Sequence, residues 1–157
     1  TYVIVLNWNG KSDTLNCLQS LTSVSTPHQT VVVDNGSTDN TYETIPSLFP
    51  KITYIYETSK GVSIARNVGI KNCHSTWIAF LDSDDWWDKE KLSISIKYLN
   101  KNYDIVYHDL FKITTLKDEM SFFKKTVKAR DLQKPIFIDF YAILKPFLRA
   151  FDWFFNH

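Results

Sequence analysis

The segment Val31-Val-Val-Asp34-Asn-Gly-Ser-Thr-Asp39 indicates the fold class of this chain. A run of β-branched residues ends in Asp34, and the glycine two positions later permits a tight turn. One of the polar residues that follow, Ser37, Thr38 or Asp39, is expected to cap the next helix. A strand that is apolar throughout suits a sheet covered on both faces. The segment therefore predicts an α/β fold.

Similar apolar runs alternate with amphipathic ones over the first two thirds of the chain. The alternation predicts parallel βαβ units in a mostly parallel, doubly wound, twisted sheet with helices on both faces. The predicted strands are Tyr2–Asn7, Thr30–Asp34, Ile52–Glu57, Trp77–Leu81 and Ile105–His108. The predicted helices are Thr14–Thr22, capped by Ser12 or Asp13; Gly61–Asn72, with Ile64, Val68 and Ile70 on one side and Arg66 away from it; and Asp88–Asn100, with an acidic cap.

The pattern degrades after about Leu110, which places a predicted domain boundary there. Residues 1–110 are expected to form the core, and residues 111–157 a partial, irregular and truncated C-terminal region. From Lys145 onward, polar residues recur every three or four positions among aromatic ones, which predicts an amphipathic helix. That helix either covers the sheet, packs on further chain, or lies on a membrane surface. Residues 135–157 are therefore a candidate peripheral membrane contact.

The bulk composition fits one globular domain, with 157 residues of which 44% are hydrophobic and 22% charged. The net charge of +1, from 18 basic and 17 acidic residues, gives no electrostatic argument for nucleic acid as a partner. Two cysteines cannot form a disulfide framework, which favours a reducing, cytoplasmic setting. No apolar run approaches the roughly 20 residues that span a bilayer. The strand at residue 2, without an initiator Met, suggests a piece of a longer protein.

Three carboxylates within four residues, in Asp82-Ser-Asp84-Asp85, follow the fourth predicted strand. Carboxylates so close together repel one another unless a cation or hydrogen-bond donors compensate. Mg²⁺ is commonly held by one or two carboxylates together with substrate phosphates, so the cluster is a candidate metal site. The alternative is a solvated acidic turn ahead of a helix. A phosphoryl-transfer enzyme would instead carry its D-x-D nucleophile after the first strand, where a dehydrogenase would carry G-x-G-x-x-G.

Other polar residues fall at the ends of predicted strands, where ligands bind in open α/β sheets. Asn7 and Asn9 follow the first strand. Asp34 ends the second strand, and it can accept hydrogen bonds from a base or a ribose, or from amides of its own turn. Arg66 lies near the start of a predicted helix whose free N–H groups favour a diphosphate, although Arg66 can also pair with the acidic cluster.

Four segments, in this order, resemble the inverting glycosyltransferases of family 2, which have the GT-A fold. They are Val3-Ile-Val-Leu-Asn-Trp-Asn-Gly10, Val33-Asp-Asn-Gly-Ser-Thr-Asp39, Gly61-Val-Ser-Ile-Ala-Arg-Asn-Val-Gly-Ile70 and Ile78-Ala-Phe-Leu-Asp-Ser-Asp-Asp-Trp86. The last of them contains the D-x-D motif of the family. The resemblance covers about residues 2–108 and implies a Rossmann-like GT-A core that binds a nucleotide sugar.

The resemblance implies a role in donor binding for the residues at the first three strand ends. Asn7 and Asn9 would lie along the nucleotide, and Asp34 would read the base. Arg66 would lie near the diphosphate or the ribose. The implied donor is a nucleoside-diphosphate sugar, with UDP or dTDP as the expected nucleotides, and the implied acceptor is a glycan or a lipid-linked glycan at the inner face of the membrane.

For the D-x-D segment, the resemblance implies a metal site. Asp82 would approach the ribose and the metal, Ser83 would line the donor site, and Asp84 would be the principal ligand of Mg²⁺ or Mn²⁺. The ion would stabilise the leaving nucleoside diphosphate while an acceptor hydroxyl displaces it with inversion. The implied activity is sugar transfer in polysaccharide or glycoconjugate synthesis.

The general base is not placed by the resemblance. The base of the family is an Asp in a Glu-Asp pair often followed by Trp, and no such pair follows the D-x-D of this sequence. Asp152, in Phe151-Asp152-Trp153, is the candidate, ahead of Asp109 and Asp139. Otherwise the base lies beyond the last residue, or the chain is a non-catalytic, degenerate nucleotide-sugar-binding module. Trp86 and Trp87 are left open between stacking on a sugar and anchoring their loop.

Overall fold

The computed structural model describes residues 1–101, 105–107 and 142–144, which form alternating strands and helices followed by two further strands. The strands are β1 (Tyr2–Asn7), β2 (Gln29–Asp34), β3 (Thr53–Tyr56), β4 (Ile78–Asp82), β5 (Ile105–Tyr107) and β6 (Ala142–Leu144). The helices are α1 (Lys11–Leu21), α2 (Thr41–Leu48), α3 (Val62–Lys71) and α4 (Lys91–Leu99). All five predicted strands are present within two residues of their predicted bounds, which confirms the α/β prediction.

The described strands form one sheet in the order β3-β2-β1-β4-β6-β5. β1 pairs in parallel with β2 and with β4, and β2 pairs in parallel with β3. β6 is antiparallel to both of its neighbours, β4 and β5. The sheet is therefore mostly parallel, as predicted, with one antiparallel strand inserted near its end.

Helices cover both faces of this sheet, and each face has its own hydrophobic core. On one face, Leu18 of α1, Ile45 of α2 and Leu92 of α4 pack against alternate residues of the strands, such as Val5. On the other face, α3 packs against the intervening residues of β1, β2 and β4. Because successive side chains of a strand point to opposite faces, strands buried on both sides must be apolar throughout. This arrangement explains the continuous apolar runs of the sequence.

The register of the parallel strands brings their carboxyl ends to one edge of the sheet. Asn7 lies opposite Asp34, and Leu6 lies opposite Asp82. Backbone hydrogen bonds continue past the strand ends: the amide of Asn35 donates to the carbonyl of Asn7 at 2.8 Å, and the amide of Ser83 donates to that of Leu6 at 3.0 Å. The loops after β1, β2 and β4 are therefore fixed side by side.

The predicted helix caps differ from the observed helix starts. α1 begins three residues earlier than predicted, after Gly10, so neither Ser12 nor Asp13 is its cap. The residue before α4 is Glu90, whose side chain makes no capping bond, and Asp88 accepts the Glu90 amide at 2.8 Å in the turn ahead of the helix. Of the three cap candidates for α2, Asp39 accepts the amide of Thr41 at 3.1 Å, although Asn40 precedes the helix.

The buried face of α3 was also predicted wrongly. Ile64 is 41% exposed, whereas Arg66 is 8% exposed and faces the sheet edge. The physical reason is the close approach of α3 to β1 at Gly69, where an added Cβ would lie 2.6 Å from Cγ2 of Ile4. This contact fixes the rotation of the helix about its axis, and the ion pair of Arg66 described below compensates its burial.

β6 was not predicted and lies in the region that the sequence separated from the core at about residue 110. The amphipathic helix predicted from Lys145 onward lies outside the described residues, as do Asp109, Asp139 and Asp152. Among the residues that the structure describes, no helix is long and apolar enough to cross a bilayer.

Candidate active site

Asn7 ends β1 and connects three segments at the carboxyl edge of the sheet. Its side chain is 1% exposed. The amide nitrogen donates to Oγ of Ser37 at 3.0 Å, while the amide oxygen accepts the backbone N–H of Gly10 at 3.2 Å and the hydroxyl of Thr14 at 2.7 Å. Asn7 thus holds the loop after β1, the start of α1 and the turn after β2 in one arrangement.

Asn9 makes a second link between the same two loops. Its backbone has a φ of 50°, in the left-handed region that asparagine tolerates better than most residues. In this conformation its backbone N–H donates to Oγ of Ser37 at 2.8 Å, and its side-chain oxygen accepts the amide of Thr38 at 2.7 Å. The two asparagines predicted to bind the nucleotide therefore also order the loops around it.

Asp34 ends β2 with a side chain that is 0% exposed. One carboxylate oxygen, Oδ1, accepts the amide of Ser37 at 2.8 Å across the turn, in which Gly36 has a φ of 76°. The other oxygen, Oδ2, accepts the hydroxyl of Tyr54 from β3. The turn-amide alternative is thus observed, and reading of the base stays a prediction. The Tyr54 contact was not foreseen, because it joins residues that only the strand register brings together.

Arg66 and Asp82 form an ion pair between α3 and the end of β4. Nη2 of Arg66 lies 3.5 Å from Oδ1 of Asp82. Burial raises the pKa of Asp82 above its usual value and Arg66 lowers it, whereas the nearby carboxylates of Asp84 and Asp85 raise it further. The net direction is upward. The arrangement is therefore a partly buried carboxylate that one guanidinium compensates only in part.

The D-x-D segment is open to solvent at the same edge. Asp84 is exposed, and Asp82 keeps a side-chain exposure of 36%. Ser83 lies against the first loop, since a Cβ at Gly10 would be 3.5 Å from its hydroxyl oxygen. Within the described part of the chain, no group of three His, Cys, Asp or Glu side chains could hold a metal ion. Two carboxylates with mutual repulsion nevertheless fit a hard cation whose other ligands come from phosphate and water.

The sequence model of glycosyl transferase family 2 matches residues 2–151. The chain belongs to this family.

Relatives of the family 2 chain include the putative teichuronic acid biosynthesis glycosyltransferase TuaG of Bacillus subtilis, which is 30% identical over 102 residues, 62% of this chain and 40% of TuaG. The crystal structure of S. aureus TarS 1–349 in complex with UDP superposes with a TM-score of 0.77 at 25% identity, over 96% of this chain and 48% of that chain. The mannosyltransferase PcManGT of Pyrobaculum calidifontis, in complex with GDP-Man and Mn²⁺, shares the fold with a TM-score of 0.64 at 24% identity, over 69% of this chain and 34% of that chain. Curated relatives are much longer, since this chain covers between 13% and 40% of their length.

Three aromatic residues near the carboxyl edge of the family 2 chain have contrasting environments. Trp87 is 5% exposed and lies in the core, with the Lys91 ammonium 5.0 Å from its ring centroid. Trp86 is 61% exposed and Trp8, directly after β1, is 62% exposed. Trp87 therefore anchors the loop, which leaves Trp86 as the candidate for stacking on a sugar. The sequence analysis did not single out Trp8, although an exposed aromatic at a strand end was a visible signal.

Proposed function

We propose that this chain is the donor-binding part of a metal-dependent glycosyltransferase that transfers a sugar from a nucleoside-diphosphate sugar to an acceptor hydroxyl with inversion. The observation that carries the proposal is the convergence of Asn7, Asp34, Arg66 and the Asp82–Asp84 segment at one sheet edge of a family 2 chain. Nucleotides bind at this edge in open α/β sheets.

In the proposed complex, each side of the site recognises a different part of the donor. The base lies over the loop after β1, where the exposed ring of Trp8 offers a flat face beside Asn9. Asp34 accepts an N–H of the base. The diphosphate lies between Arg66 and the D-x-D segment, with Ser83 beside it. A uridine nucleotide is the first candidate, which the TarS complex with UDP supports.

Asp84 would hold Mg²⁺ or Mn²⁺ together with the diphosphate, and Asp82 would take part from its ion pair with Arg66. When bound, the ion supplies Lewis-acid stabilisation of the leaving diphosphate. The exposure of Asp84 leaves room for phosphate ligands. The complex of PcManGT with GDP-Man and Mn²⁺ supports a cation of this kind.

The test is calorimetric titration of UDP, with and without Mn²⁺, into the wild type and into Asp84→Ala. We expect binding that needs Mn²⁺ and is at least tenfold weaker in the variant. Glu90→Ala is the matched control, because Glu90 is an exposed acid near the same loop without a role in the proposed site. Its affinity should equal that of the wild type. Titration of dTDP and GDP follows if UDP does not bind, and absence of binding by all three would refute the donor site.

The second candidate function is donor binding without turnover. It is favoured by the length of the chain, which covers 48% of TarS 1–349, and Asp152, the proposed base, is untested. Assays of sugar transfer and of donor hydrolysis beside the binding titration separate the two functions. A chain that binds UDP tightly but releases no sugar would be a binding module, whereas an active chain should lose turnover in Asp152→Asn.

We further propose a glycan or lipid-linked acceptor at the inner face of the membrane, with residues 135–157 in contact with the lipid surface. The name of TuaG, a putative teichuronic acid biosynthesis glycosyltransferase, supports a polysaccharide acceptor. Because residues 142–144 form β6, the deletion that tests the contact should begin at residue 145. Equal association of the full and shortened chains with anionic liposomes would count against the contact.

A further inference from the structure

Two tyrosines of β3 bind the turn that follows β2. Tyr54 and Tyr56 are two residues apart on the same strand. The hydroxyl of Tyr54 donates to Oδ2 of Asp34, and the hydroxyl of Tyr56 donates to the backbone carbonyl of Ser37 at 3.1 Å. From the opposite side, Asn7 and Asn9 both donate to Oγ of Ser37. The turn is therefore held both by β3 and by the loop after β1.

The Tyr54 contact determines the orientation of the Asp34 carboxylate. The Ser37 amide occupies Oδ1 and the Tyr54 hydroxyl occupies Oδ2, so rotation of the carboxylate would break both bonds. Asp34 is 0% exposed, which means that water cannot replace a lost donor. Each carboxylate oxygen can accept more than one hydrogen bond, so a further N–H can still approach in the direction that the two donors fix.

The Tyr54 phenol is suited to this role because it stays protonated. Burial, followed by the hydrogen bond to Asp34, raises its pKa well above the ordinary value. Asp39 and Tyr56 act in the same direction, so every charged or titratable group facing the phenol favours its neutral form. It therefore donates to the carboxylate throughout the physiological pH range.

We propose that Tyr54 is a positioning residue which, through Asp34, makes the donor site select a base with a ring N–H. This inference rests on the proposed function, since it assigns the base specificity of the same site. A fixed carboxylate accepts the N3–H of uracil but faces the N3 lone pair of cytosine, which cannot donate. A site that leaves such a buried acceptor unpaired rejects the wrong ligand strongly.

The test compares UDP with CDP, in the presence of Mn²⁺, for the wild type, Tyr54→Phe and Tyr56→Phe. We expect the wild type to prefer UDP. Tyr54→Phe keeps the ring but removes a hydrogen bond to a charged group, which should weaken UDP binding about tenfold and CDP binding less than twofold. Tyr56→Phe, the control, removes a hydroxyl that binds a carbonyl and should keep the UDP preference.

A further comparison checks that Tyr54 acts through Asp34. In an Asp34→Asn chain, which no longer has a carboxylate to fix, adding Tyr54→Phe should change neither affinity.

Three outcomes overturn the inference. An equal loss for UDP and CDP in Tyr54→Phe, with a lower thermal midpoint, or a failure of this variant to fold would show that the hydroxyl serves stability alone. A wild type that binds UDP and CDP equally would show that Asp34 does not read the base, while leaving the donor site in place. A wild type that binds no nucleoside diphosphate would refute the proposed function together with this inference.

Discussion

Trp86 and Trp87 are adjacent in the chain, but their side chains are 61% and 5% exposed. Trp87→Ala should therefore destabilise the fold by about 3–5 kcal/mol, as expected for loss of a buried tryptophan. Trp86→Ala should leave the thermal midpoint unchanged and weaken binding of a UDP-sugar about three- to tenfold, without affecting UDP itself. Calorimetry with UDP and UDP-GlcNAc, beside thermal unfolding, measures both effects. A Trp86→Ala chain with unchanged affinity for a panel of UDP-sugars would contradict a donor-sugar contact.

Cys17 lies beneath the acidic segment, and burial, followed by the charges of Asp85, Asp82 and Asp84, raises its pKa from 9.0 to about 12. Above pH 9 the unfolded chain loses this proton while the folded chain keeps it, so stability must fall as pH rises toward 12. Between pH 8 and pH 10 the contribution is about 1 kcal/mol. Urea unfolding at both pH values should show a decrease smaller by that amount in Cys17→Ala. Equal decreases in the two proteins would mean that Cys17 does not titrate as proposed.

The site residues illustrate how far the sequence alone can predict chemistry. Asn7, Asp34 and Asp82 were placed correctly at strand ends, because an apolar run followed by a polar residue marks where a strand leaves the core. Their partners could not be predicted. The bond from Tyr54 to Asp34 spans 20 residues and depends on the pairing of β2 with β3, which leaves no local pattern in the sequence.

At the scale of elements, the packing of α3 on β1 depends on Gly69. An added methyl group would lie 2.6 Å from Cγ2 of the fully buried Ile4. Overpacking of this kind costs about 1–3 kcal/mol and outweighs the gain of roughly 1 kcal/mol in helix propensity, so Gly69→Ala should be destabilising in urea unfolding. In an Ile4→Ala background the methyl group has space, and the same change should stabilise. A destabilisation of equal size in both backgrounds would exclude the contact as its cause.

Strands were easier to predict than helices in this chain. A strand covered on both faces must be apolar at every position, so its bounds are visible, as in β1. Helix starts depend on which backbone amides find acceptors, and at α1 the observed start follows Gly10 rather than a side-chain cap. β6 has three residues within an aromatic-rich stretch, and its pairing with β4 spans more than 60 positions of sequence. Neither its composition nor its spacing distinguishes it from its neighbours.

At the scale of the whole molecule, β6 joins the region beyond residue 110 to the core sheet. A chain ending at residue 110 should lose about 2–4 kcal/mol of unfolding free energy, since each ladder hydrogen bond contributes about 1 kcal/mol net and β6 pairs with both β4 and β5. A chain ending at residue 148 retains β6 and is the control. Urea unfolding of both, with hydrogen exchange at the amides of β4, measures the difference. Equal stability would make residues 1–110 an independent domain, as the sequence predicts.

The position of β6 between β4 and β5 has a consequence for biosynthesis. The ribosome releases β4 well before residues 142–144 have been made, and the 62 residues from 83 to 144 require ~3–12 s at 5–20 residues per second. During that interval the nascent chain presents an open row of amides and carbonyls along β4, the kind of edge at which chains associate with one another. Aggregation during translation is therefore expected to depend on how quickly codons 83–144 are read.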